Sequence, residues 1–84
     1  MNTVYVAMIG EFPTAVTPTP ELAQAGALAA EAQYQKPGEW EHRWDEQPDG
    51  ALRLMQRQKA RGGRFSWTRR SVCPVDYVTE ESTR

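Results

Sequence analysis

The sequence predicts an α+β fold: a single small domain over residues 1–84, in the order β-α-β-β-β, with a mixed sheet and one helix packed on one face. Three observations predict it. Residues 3–9, TVYVAMI, alternate and are rich in β-branched and aromatic types, as a buried strand requires. An alanine-rich stretch follows a helix-start signal at Thr19-Pro20-Glu21. From Glu39 onward the apolar period changes to two, punctuated by Pro48-Asp49-Gly50 and by Gly62-Gly63. A chain of 84 residues supports one modest core.

Each element has a local cause. The first strand runs into GEFPTAVTPTP, where Pro13, Pro18 and Pro20 predict irregular chain. Thr19 then supplies a capping hydroxyl, Pro20 a preset φ for the first turn, and Glu21 an acid at the positive helix end. The helix is expected over residues 20 to about 35, stopped by Lys36-Pro37-Gly38. Leu22, Ala25, Ala29 and Ala32, with Leu28 beside them, line the face expected to lie on the sheet. A strand–helix–strand crossover makes its two strands parallel, which is why the sheet is expected to be mixed.

The next segment, EWEHRWDE, puts Trp40, His42 and Trp44 on one face and Glu41, Arg43 and Asp45 on the other. Pro48-Asp49-Gly50 forms a three-residue hairpin loop, a type I turn with glycine in the left-handed position. That loop pairs Gln47 with Ala51. Trp44 then faces Leu54 and His42 faces Gln56, while Asp45 faces Arg53 and Glu41 faces Arg57. A competing reading makes residues 51–61, ALRLMQRQKAR, a helix, because most of them favour one. Its apolar positions cluster at one end, and the strand register accounts for the charge pairs. A two-residue turn at Gly62-Gly63 would pair Gln58 with Trp67, Gln56 with Arg69 and Leu54 with Ser71. Phe65 and Trp67 are therefore expected on the helix side, as core. After Pro74, VDYV is expected as a short edge strand, and residues 79–84 as a polar tail.

The net charge of −1 conceals a split. Residues 1–52 carry two bases and eight acids; residues 53–70 carry seven bases and no acid. Within the second block, RQKARGGRFSWTRR has six bases and two aromatics in fourteen residues. Such asymmetry marks a face for an anion, or two halves that neutralise each other.

Several chemistries find no footing. One His and one Cys, 31 residues apart, fall short of a structural zinc set, so no metal is expected. Cys73 with His42 is the only thiol–imidazole pair, and the register separates them, so no catalytic residue is assigned. Neither a GxxxxGK[ST] nor a GxGxxG motif is present, and no cofactor is expected. No apolar run reaches the roughly 18 residues that span a bilayer, and the N-terminus reads as a strand and not as a signal peptide. A lone cysteine fits a reducing compartment, so a cytoplasmic protein with no membrane partner is expected.

Two candidate sites remain. Arg43, Lys59, Arg61, Arg64 and Arg70 have no obvious acids opposite them and surround the Gly-Gly turn, suited to phosphates or to an acidic protein surface. His42, Gln56 and Arg69 are expected as a polar row across the helix side of the sheet, a candidate cleft.

VYVAMIGEF, then TPELA and an alanine-rich helix, resembles the opening of small strand–helix–sheet proteins of actinobacterial phages and plasmids, over about the first 35 residues. The resemblance implies a mobile-element accessory protein and carries over no site residue. The leading reading is a non-enzymatic binding or accessory protein that recognises or inhibits a macromolecular partner, with a protein placed ahead of a nucleic acid. The alternative is nucleic-acid binding by the arginine-rich hairpin around Gly62-Gly63.

Overall fold

The structure is a computed structural model and describes residues 2–77; the polar tail expected over 79–84 lies outside the described residues. Its elements are β1 (Asn2–Ile9), β2 (Phe12–Thr17), α1 (Pro20–Ala32), β3 (Trp40–Glu46), β4 (Leu52–Gln58) and β5 (Ser66–Tyr77). They form one five-stranded sheet in the order β2-β1-β5-β4-β3, and every pairing is antiparallel. The expected β-α-β-β-β order with a mixed sheet is therefore corrected to β-β-α-β-β-β.

The difference begins at residues 12–17. Gly10 takes a φ of 58°, the positive value a two-residue hairpin needs at its first position, and the chain folds back on β1. Pro13 is tolerated because β2 is an edge strand and a bulge lies there. Ala7 pairs with Ala15 and Met8 with Pro13, leaving Thr14 over; its hydroxyl donates to the Ala7 carbonyl at 3.1 Å. Because the chain enters the helix from β2, no strand–helix–strand crossover makes parallel neighbours.

Helix α1 starts as its sequence dictates, with the Thr19 hydroxyl accepting from the Leu22 N–H at 3.3 Å. It ends at Ala32, three residues early, in a tightened turn where the Tyr34 and Gln35 N–H groups donate to the Glu31 and Ala32 carbonyls. The face on the sheet is Ala23 and Ala27, not the expected Leu22, Ala25, Ala29 and Ala32, which are exposed. Alanine occurs on both sides of this helix, so hydrophobicity alone does not fix its rotation. Glu31, on the inward side, does: it binds Arg70 of β5.

The β3–β4 hairpin has the register its turn demands. Gly50 sits at φ 88°, its N–H donates to the Gln47 carbonyl at 2.9 Å, and the Gln47 N–H donates to Ala51 at 2.7 Å. Trp44 pairs with Leu54, His42 with Gln56, and Glu41 with Arg57. The following connection departs from expectation. Lys59, Ala60 and Arg61 make a helical turn, closed by the Gly62 N–H on the Gln58 carbonyl at 3.0 Å, and Gly62 and Gly63 follow at φ 62° and 80°. Met55 then pairs with Trp67 and Gln56 with Ser66. The shift from the two-residue-turn register is odd, so β5 presents its side chains to the opposite faces.

Strand β5 is the central strand, 12 residues long, and absorbs the segment expected as a separate edge strand. Pro74 fits because it lies beyond the last β4 pair, Leu52 with Val72, where β1 alone flanks it among the described residues. The core lies between α1 and the β1/β5 half of the sheet: Ala7, Ala23 and Val72 are buried, with Tyr5, Trp44 and Leu52 packed on them. No helix among the described residues is long and apolar enough to cross a membrane.

Candidate interaction surface

Helix α1 covers one face of the sheet at β1, β5 and β2, and among the described residues no element covers the other. The bare face begins at β2 with Val16, which is 64% exposed, and continues through its partner Val6 and the flanking Val4 and Met8 of β1. On β5 it carries Cys73, paired with Val6, and the exposed Val75, paired with Val4. Across β4 and β3 it changes character to Arg53, Met55, Arg57, Arg43 and Asp45. An apolar strip thus runs into a cationic one.

The flipped β5 register supplies the junction. Trp67 pairs with Met55, and Met55 with Arg43, so Trp67 belongs to the bare face and not to the core. Phe65 joins it there. The Arg43 and Arg57 guanidinium carbons stand 4.3 and 4.5 Å from the Phe65 ring centroid. Arg53 and Arg69 stand 4.4 and 5.6 Å from the Trp67 ring. Each such contact contributes about 0.5–1 kcal/mol at an exposed site. The indole N–H of Trp67 donates to the Arg70 carbonyl at 3.0 Å, which fixes the ring's orientation.

Beside Trp67 the strand bulges. Three residues, Thr68, Arg69 and Arg70, oppose Leu54 alone between the Trp67 and Ser71 pairs. Thr68 fills the gap, its hydroxyl donating to the Leu54 carbonyl at 2.9 Å and accepting from the Arg70 N–H at 3.1 Å. Arg69 holds φ at 77°, a left-handed conformation that costs a non-glycine residue about 1 kcal/mol. Its carbonyl accepts from the Gly10 N–H at 2.7 Å, which clamps the β1–β2 turn against the bulge.

The residues singled out in the sequence are distributed differently from expectation. Arg43 is on the bare face but is held by Asp45 at 2.9 Å. Asp45 therefore bonds its own strand and not Arg53, whose guanidinium is engaged with Trp67. Glu41 does reach Arg57, at 3.2 Å. Arg70 is corrected outright: it faces the helix, is 8% exposed, and pairs with Glu31 at 2.8 Å. Lys59, Arg61 and Arg64 are exposed in the loop between β4 and β5 and, like Arg53 and Arg69, form no ion pair among the described residues.

The expected row of His42, Gln56 and Arg69 is not assembled. His42 and Gln56 do pair across β3 and β4, but the bulge sends Arg69 to Trp67. Gln35 takes the third place, its amide N–H donating to Gln56 Oε1. His42 Nε2 and Gln35 Oε1 are buried there without a partner among the described residues, so this is a polar seam and not a cleft. The sequence did contain a signal for the missed Arg70 contact: Glu31 is an acid in the last helical turn, unfavourable unless a cation holds it.

No family model, no curated protein and no solved structure matches the chain.

Proposed function

We propose that the chain is a non-enzymatic binding protein that takes a protein partner on the bare face of its sheet. A role as an accessory protein of a phage or plasmid accords with the resemblance of its first 35 residues. One observation carries the reading: the aliphatic strip of Val4, Val6, Met8, Val16 and Val75 shares one sheet face with the arginine-covered rings of Phe65 and Trp67, with Cys73 and Ser71 of β5 between them. Adjacent apolar side chains on an uncovered sheet face, with Val16 and Val75 exposed, suit an interaction site. The aliphatic half favours a protein over a nucleic acid, because bases stack on flat rings, and both rings here already carry guanidinium groups. Arg53 and Arg69, stacked and in no ion pair among the described residues, are placed to take acids of the partner.

The test is a pull-down with the immobilised chain, with and without nuclease, repeated with Val16→Asp combined with Arg53→Glu. The expected result is a nuclease-resistant partner that the double variant loses, with the melting temperature of the variant within a few degrees of wild type. A partner retained by the double variant, or released by nuclease, would sink this reading.

A further inference from the structure

The sheet-face reading uses Phe65 of the loop between β4 and β5 but leaves Arg61 and Arg64 unused. There Arg57, Arg61 and Arg64 converge with Gly62, Ser66 and the indole of Trp40 around a notch of ≈ 250 Å³, and none of its lining residues is acidic. Arg57 is already committed: Glu41 neutralises it at 3.2 Å, its Nη1 donates to the Gly63 carbonyl at 3.0 Å, and its Nε is covered. Arg61 and Arg64 are exposed and form no ion pair among the described residues. Two uncompensated cations beside a third repel one another, and an anion seated between them relieves the repulsion. The frame that carries them is fastened at both ends, by the Gly62 N–H on the Gln58 carbonyl and by Arg57 on the Gly63 carbonyl. A ligand therefore has less chain to order on binding.

We propose that this notch binds a phosphate group. The planar forks of Arg61 and Arg64 match a tetrahedral oxyanion, and several cations about one hollow suit a phosphate better than a singly charged carboxylate. Ser66 adds a hydroxyl donor, and the Trp40 ring gives an apolar wall to whatever organic group carries the phosphate. The site shares Arg57 with the edge of the bare sheet face, but Arg61 and Arg64 lie in the loop, so a phosphate can seat there whether or not a protein docks on the face. A nucleic-acid backbone and a small phosphorylated molecule share this chemistry.

Titration of the ¹⁵N-labelled chain with inorganic phosphate, against chloride at equal ionic strength, tests the site. Saturable shifts are expected at the amides of Arg61, Gly62 and Arg64 and at the indole N–H of Trp40, with a rise in melting temperature that chloride does not produce. Arg61→Gln with Arg64→Gln should preserve the circular dichroism spectrum and weaken phosphate binding about tenfold or more. A single-stranded oligonucleotide forms a second arm. If it binds more tightly than phosphate, and the double variant flattens its log-affinity against log-salt slope by about 0.7 per lost contact, a strand backbone is the source. An oligonucleotide no tighter than phosphate assigns the site to a small phosphorylated ligand. Absent shifts, shifts spread evenly over all the arginines, or an affinity unchanged in the double variant would overturn the proposal.

Discussion

Arg70 and Glu31 show how one buried pair can set the rotation of an element. Their side chains are 9% and 16% exposed and meet at 2.8 Å, joining the end of α1 to the middle of the central strand. Both charges have left water, so their attraction mainly offsets their own desolvation, and the pair's contribution lies in specifying which helix face turns inward. Removing one partner strands the other. Glu31→Ala should therefore lower stability by about 3 kcal/mol, read as a fall in the urea midpoint. Glu31→Leu combined with Arg70→Met should recover most of that loss, because the site then holds apolar groups of similar size. A single variant with an unchanged midpoint would mean that the alanine face, and not the ion pair, holds the helix. Gly50 is the contrasting residue: its φ of 88° was readable from Pro48-Asp49-Gly50 alone, since the turn's chemistry is entirely local.

At the scale of elements, parity decides what each side chain does. Leu54 and Trp67 were expected on one face; the seven-residue loop over 59–65 separates them. Leu54 is fully buried, whereas Trp67 rests on the bare face under Arg53 and Arg69. Leu54→Ala should cost about 2–5 kcal/mol and bring so small a domain close to unfolding. Trp67→Ala should cost less than Leu54→Ala, about 1.5–3.5 kcal/mol from one half-buried hydrogen bond and two stacked guanidiniums, and leave a cooperative unfolding curve. Equal losses at the two positions would place Trp67 in the core and refute the register. The β3–β4 hairpin was legible because a turn with one dominant geometry counts its pairs outward. The β4–β5 connection was not, because Lys59-Ala60-Arg61 favours a helical turn as readily as Gly62-Gly63 favours a tight one, and a slip of one residue inverts the strand. Strand β2 was missed for a different reason. Proline at three positions argues against a central strand, yet an edge strand with a bulge accommodates Pro13. The β4–β5 register alone alters both candidate site groups, since it and the bulge exchange the faces of Arg69 and Arg70.

The whole molecule is long, with extents of 56 × 25 × 20 Å, and is covered unevenly. Helix α1 packs on β1, β5 and β2, while the β3–β4 hairpin projects beyond it with β3 as the second edge. The near end of the hairpin is anchored, because Trp44 packs on the Ala7, Ala23 and Val72 core and Leu54 is sealed beside it. The far end, at Trp40 and Gln58, is held by β4 and by the seam of Gln35 and Gln56, in which two buried polar atoms lack partners among the described residues. Few buried apolar contacts and unmet hydrogen bonds define the low end of local stability. Amide hydrogen exchange should therefore be graded along β3. The amides near Trp44 should exchange with opening free energies at least about 1 kcal/mol above those near Trp40 and His42, and those of β1 and β5 should exchange only through global unfolding. The weakly protected group should also respond little to low urea, since its opening exposes little surface. Phosphate, seated in the notch that includes Trp40, Arg61 and Arg64, should raise protection at this far end first. Uniform protection from Trp40 to Glu46 would show instead that the hairpin and the helix-covered half unfold as one unit, and that the projecting end is no softer than the core that anchors it.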